Sequence, residues 1–143
     1  MSYKQFLYMV GGGAAGAAQS LTSTADIHIF TIPCRAHIHR IQMAITTTIS
    51  SSASVVVQWD KRPYAGSDTD RGTADVGTLT IVTTTAAGIA VYEEPSTLIT
   101  VNEGDQVVVQ VSTAATSAGA GVPMLVLEPA PERPANNSQM LAA

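Results

Sequence analysis

From Ala25 to Glu128 the chain alternates apolar and polar residues with a period of two for most of its length. Residues with that spacing line opposite faces of an extended strand, so the pattern commits the chain to β structure, and no stretch carries a helical period. β-Branched residues are in excess and turn residues recur at short intervals, which is the signature of an antiparallel all-β domain.

The alternation predicts eight strands, over residues 25–32, 36–49, 53–60, 77–84, 88–92, 96–101, 106–112 and 122–128. In the second, Ile41, Met43, Ile45 and Ile49 share one face, and Arg40, Gln42, Thr46 and Thr48 the other, as in a half-buried strand. The third directs Val55, Val57 and Trp59 inward. The last is apolar on both faces, since Val122, Met124 and Val126 alternate with Leu125 and Leu127, and is therefore central or covered. Between the sixth and seventh, Asn102-Glu103-Gly104-Asp105 reads as a turn whose glycine takes positive φ and whose Asn and Asp bond their own backbone. Eight strands in this span predict an eight-stranded, jelly-roll-like antiparallel β-sandwich, with an immunoglobulin-like sandwich as the alternative.

Three units follow from the pattern: an extended N-terminal arm over residues 1–24, the sandwich over 25–128 and a Pro-rich tail over 129–143. The arm holds the Gly/Ala run from Gly11 to Ala18, which combines maximal backbone freedom with almost no side chain to pack. It cannot bury a core of its own, so neighbouring molecules are expected to hold it, through Tyr3, Phe6, Leu7, Tyr8, Met9 and Val10. The connection over residues 61–76 is longer than an ordinary hairpin loop and rich in charge, and its Arg62, Tyr64 and Arg71 are further candidates for contact with a partner. Pro129, Pro131 and Pro134 favour an extended tail that ends with apolar Met140 and Leu141, expected to lie along another subunit.

Composition narrows the function. With 143 residues the chain is large enough for one domain, and one cysteine, Cys34, excludes an intrachain disulfide. Charged residues are only 13% of the chain, which leaves a weakly charged surface suited to close subunit contact. The net charge of −4 and the scattered Lys and Arg argue against nucleic acid as a partner. No apolar run approaches the roughly 20 residues that span a bilayer, so no membrane partner is expected. Lys4 before the apolar run from Phe6 to Val10, with Ala15-Gly16-Ala17 beyond, has the outline of a secretory signal, but the run is short and broken by glycine.

No reaction is visible. His37 and His39 stand two apart on one strand, and His28 on the strand before could join them at a metal ion, in the manner of the β-barrel cupins. The glutamate and the later histidine that cupins place after His-x-His are missing, so neither a metal nor any other cofactor is expected. The Asp68 to Asp75 loop alternates carboxylates like a calcium loop, but lacks the later bidentate glutamate and holds Arg71 among the supposed ligands. Cys34 lies close to Arg35 and His37, yet no oxyanion motif or downstream histidine accompanies it, so it reads as structural and the chain as a non-enzyme. Of the rings outside the arm, Trp59 shares the phase of the core valines, whereas Tyr64 sits in the long loop.

The β region, including the run from Val101 through Asn102-Glu103-Gly104-Asp105 to Val111, together with the Gly/Ala arm before it, resembles the small jelly-roll decoration or cement proteins of tailed-bacteriophage capsids. The resemblance implies a virion protein on the capsid outer surface, assembled in the host cytoplasm. It would clamp neighbouring subunits of the major capsid protein, pair with itself as a homodimer or homotrimer, and perform no catalysis. A carbohydrate-binding β-sandwich of a phage head fibre or surface structure is the alternative, with Tyr64 as its exposed ring.

Overall fold

A computed structural model describes residues 5–11, 17–62 and 75–130. Among them lie ten strands and no helix: β1 (Leu7–Val10), β2 (Gln19–Ser20), β3 (Asp26–Thr31), β4 (Ala36–Ser50), β5 (Val55–Arg62), β6 (Gly77–Ile81), β7 (Ala90–Glu93), β8 (Thr100–Val101), β9 (Gln106–Thr113) and β10 (Ala118–Pro129). They form two antiparallel sheets. One runs β1-β10-β4-β7, with β2 also on β10 and β8 also on β4; the other runs β3-β9-β5-β6.

The pairing is nested. The first strands join the last, β3 joins β9, β4 joins β7 and β8, and β5 joins β6, as if one long hairpin had been rolled up; β10–β4 and β9–β5 contacts then close each sheet. That is the jelly-roll arrangement of two Greek keys. The chain is thus the all-β antiparallel sandwich that its alternation predicts, but the strand count is reached differently. Residues 88–92 and 96–101, read as two strands, both land on β4 (Met43↔Val91 and His37↔Thr100), so β7 and β8 are two pieces of one interrupted strand. Pro95, which has no N–H for the ladder, lies in the break.

The strand this leaves missing lies in the arm. Leu7, Tyr8, Met9 and Val10 pair with Leu127, Val126, Leu125 and Met124, and Gln19 and Ser20 pair with Gly121 and Ala120. Leu21 is fully buried in the core. The expectation of a domain that begins at residue 25 and an arm ordered only by neighbours is therefore corrected for Leu7–Val10 and Gln19–Leu21. The reason is alternation too short to stand out: Leu7 and Met9 pack against the core while Tyr8 and Val10 face outward.

The core lies between the sheets. Trp59 is fully buried and stacks on Phe30 at 5.9 Å, with Ile41, Met43, Leu125 and Leu127 facing them from the opposite sheet. Truncating a buried side chain of this size to alanine costs about 2–5 kcal/mol. The turn at residues 102–105 forms as its residues predict: Gly104 has φ 88° and the Asn102 N–H donates to the Asp105 carboxylate at 2.9 Å. Ile32 and Gly104 exchange bonds across it, Ile32 N–H to Asp105 and Gly104 N–H to Ile32, which ties the end of β3 to the start of β9.

Gly11 marks where β1 ends. Its N–H donates to the Pro123 carbonyl at 2.7 Å, and a Cβ there would stand 2.7 Å from His28 Cδ2 and 2.8 Å from Pro123 Cγ. A ring and a proline cannot yield cheaply. Gly11→Ala should lower the unfolding free energy by about 1–3 kcal/mol, the usual cost of overpacking, as read by denaturant titration; an unchanged midpoint would show that the close approach is not a constraint.

Candidate functional site

The two outward faces of the sandwich differ in chemistry. On the four-stranded sheet, Val57 and Trp59 point inward, so Gln58, Asp60 and Arg62 lie on the other side, opposite Gln110, Val108 and Gln106 of β9. This face is polar. Asp60 is almost fully buried, and the Arg62 guanidinium stands 3.7 Å from it and 3.9 Å from Asp26. A buried carboxylate needs a cation beside it. Arg62, expected to reach for a neighbour, is instead drawn onto its own sheet.

On the six-stranded sheet the inward set on β10 is Leu125 and Leu127, and the outward set is Val122, Met124 and Val126. Register places Val10 beside Met124, Met124 beside Gln42, and Gln42 beside Tyr92. A row of four strands is thus built from valine, methionine, glutamine and tyrosine. The next row toward β10's N-terminal half joins Val122, Ala44 and Ala90, which are equally uncharged. Tyr8 is 56% exposed, Val10 49% and Tyr92 58%, so three large side chains stand in solvent on one face. Rings and aliphatic groups gathered on one sheet face make it a candidate contact surface.

Charge is confined to one border. Arg40 lies over the Tyr92 ring at 5.2 Å and within 4.0 Å of Glu94, while His39 Nε2 is 3.9 Å from the same carboxylate. Register shifts by one residue between Val126 and Leu127, whose partners are Arg40 and Ile38, so His39 is the extra residue of a β-bulge. Its ring stacks on Phe6 at 4.4 Å. His37 instead meets Thr100 Oγ1 at 3.2 Å, and His28 lies on the other sheet, edge-on to Phe30 at 4.5 Å. The three histidines considered as metal ligands are not brought together, and among the described residues no group of three His, Cys, Asp or Glu could hold an ion. Cys34 is a half-buried free thiol in the β3–β4 connection. No helix among the described residues is long and apolar enough to cross a membrane.

Of the arm residues expected to grip a partner, Phe6, Leu7 and Met9 are occupied by the chain's own sheet, whereas Tyr8 and Val10 remain on its outer surface. Tyr3, Tyr64, Arg71, Met140 and Leu141 lie outside the described residues. Val122, Met124 and Tyr92 are not among the contact residues named individually from the sequence, although the doubly apolar strand from Val122 to Leu127 was open as a dimer or trimer interface. The doubly apolar last strand was the signal for the first two; Tyr92 carried none until its register opposite Gln42 was known.

β1 is held with little margin. Ordering each backbone residue costs roughly 1–2 kcal/mol. Each ladder bond returns about 0.5–1.5 kcal/mol net. Within β1, Leu7 and Met9, both half-buried, are the side chains packed against the core.

Comparisons with protein-family models, with curated proteins and with solved structures found no match.

His28, at the base of β1, lies against the space that Gly11 leaves open, and burial pushes its pKa below the ordinary 6.5. The folded chain therefore binds fewer protons there than the unfolded chain. That contribution to stability is complete above pH 6.5 and is lost as the pH falls below it toward the depressed folded value. Unfolding midpoints across pH 5–7 should decline on the acid side in the wild type (about the range in which histidine titrates), and the decline should shrink in His28→Leu. An identical slope in both would assign it elsewhere.

Proposed function

We propose that this protein is a structural component of a virion that binds the outer surface of a phage capsid and cements neighbouring subunits of the major capsid protein. The observation that carries the reading is the make-up of the six-stranded face, where exposed Tyr8, Val10 and Tyr92 stand beside half-buried Val122 and Met124 and charge is confined to one border, whereas the other face carries Asp60 and Arg62. A face of this kind suits adhesion to a protein surface, because each apolar group removed from water contributes about 25 cal/mol per Å² without requiring matched charges. The jelly-roll order of the strands agrees with the resemblance to capsid decoration proteins, at the level of fold analogy. Attachment of many copies multiplies a modest contact per copy, which is how a small protein reinforces a shell. Self-association as a dimer or trimer belongs to the same reading.

A glycan-binding module is the second reading, favoured by the exposed Tyr92 ring with Arg40 against it. Tyr64, the ring first expected in that role, lies outside the described residues.

Two substitutions separate the readings. Met124→Lys places a charge in the middle of the uncharged rows. It should reduce occupancy on purified capsids by at least about tenfold, the effect of losing roughly 1.4 kcal/mol per copy, while circular dichroism and the unfolding midpoint of the free protein stay close to wild type. Full occupancy by a folded Met124→Lys protein would remove this face from the attachment site. Tyr92→Ala should weaken capsid binding without creating or abolishing a saturable signal on a glycan array; a wild-type glycan signal lost in Tyr92→Ala would favour the second reading instead.

A further inference from the structure

The first strand is joined to the rest of its sheet in an unusual way. Between Gly11, whose N–H reaches the Pro123 carbonyl, and Gln19, which pairs with Gly121, the chain has seven residues where the partner strand has one, Val122. Every residue from Gly11 to Ala18 is glycine or alanine. Among the described residues β1 is hydrogen-bonded to a single strand, β10, and its two inward side chains, Leu7 and Met9, are half-buried. β2 is anchored independently, because Leu21 beside it is fully buried and its N–H bonds the Gly119 carbonyl. Releasing Leu7–Val10 would therefore leave the remaining nine strands in place.

We infer that Leu7–Val10 is an exchangeable strand, which can pair with β10 of a second copy of this chain through the same contacts it makes with its own. The occupant of the vacated edge is defined by the register already seen, since a strand from another copy makes the same four pairs, Leu7 with Leu127 through Val10 with Met124. Contacts in the two arrangements are identical, so the balance is set by concentration and tether. Eight peptide steps from Gly11 to Gln19 reach at most about 29 Å, which confines exchange to copies that sit side by side. A short connection holds β1 near its own edge at an effective concentration on the order of millimolar, so exchange is rare in dilute solution and becomes competitive where copies are crowded. On the capsid reading above, a shell would supply that crowding and turn docked copies into a linked layer; the exchange itself is a property of the purified protein.

The register supplies the test. Val10 and Met124 are direct cross-strand neighbours on the outward face, and such Cα pairs lie at a spacing that a disulfide bridges. With Cys34→Ser in every protein, a Val10→Cys chain is mixed with a Met124→Cys chain at about 1 mM and oxidised mildly. The expected product is a covalent heterodimer, about tenfold more abundant than that from Val10→Cys mixed with Thr31→Cys on the other sheet, and its yield falls on dilution into the micromolar range. The double variant Val10→Cys/Met124→Cys in one chain should close internally when dilute. If it closes internally while the mixed single variants yield no more heterodimer than the Thr31 control, exchange does not occur. The Tyr8/Val126 pair, two residues along the same face, gives the same two outcomes should the first pair disturb folding. Because capsids are absent from this experiment, a negative result leaves the attachment data for Met124→Lys standing, and the reverse also holds.

Discussion

The fold depends on β10. It is the strand to which β4, β1 and β2 all bond, and it is apolar on both sides, with Leu125 and Leu127 turned to the core and Val122 and Met124 turned outward. A strand in that position cannot be left at an edge, because its backbone groups and both rows of side chains need partners. One flank is covered by β4 over nearly the whole length of β10, from Ala118↔Ser50 to Pro129↔Ala36. The other flank must be covered by something, and the only segments that do so among the described residues are β1 and β2. The N-terminal part of the chain is thus recruited by the exposed flank of the last strand. The nested pairing of the jelly roll follows from that closure.

This explains why the sequence was informative about the domain and misleading about its beginning. From β3 to β10 the alternation runs for five or more residues in most strands and the inward set is read directly: Val55, Val57 and Trp59 on β5, Val107, Val109 and Val111 on β9. In β1 only four residues alternate before Gly11, and β2 has two, so neither rises above what a flexible arm would show. Short strands of this kind are specified by the edge they bind, and the edge is more than a hundred residues away in the chain. The break between β7 and β8 hid itself for the opposite reason: two legible pieces looked like two strands because their shared partner, β4, is fifteen residues long and can host both.

The contact surface was legible in part and for the same physical reason. A strand apolar on both sides announces that its second side is either covered or adhesive, and that much is written in residues 122–127. Which neighbours join Met124 in a row is a matter of register, and register over β4 is set by bulges at His39 and near Thr46 that no local pattern reveals. The histidines are separated by their neighbours. His37 and His39 share the outward side of β4, between inward Ala36 and Ile38, but His37 meets Thr100 whereas His39 meets Phe6 and Glu94. Arg62 lies beside the buried Asp60, and burial of that aspartate could not be foreseen from a position at the end of a predicted strand.

The distribution of charge bears on how such a surface would act. Arg40 and Glu94 stand together at one border of the outward face, and the rows through Met124 and Val122 have none. A face of this kind offers no long-range attraction, so encounters would be unsteered and association correspondingly slow, while what is gained on contact would vary little with ionic strength. It also gives little orientational discrimination, because apolar contact is non-directional. Specific placement must then come from shape and from a geometric lock. A strand that can be passed between adjacent copies would be such a lock: it forms backbone hydrogen bonds in only one register, and the Gly/Ala tether allows it only between copies at close range. Adhesion from the sheet face and registration from β1 would therefore be complementary, and both would act through the same strand, β10.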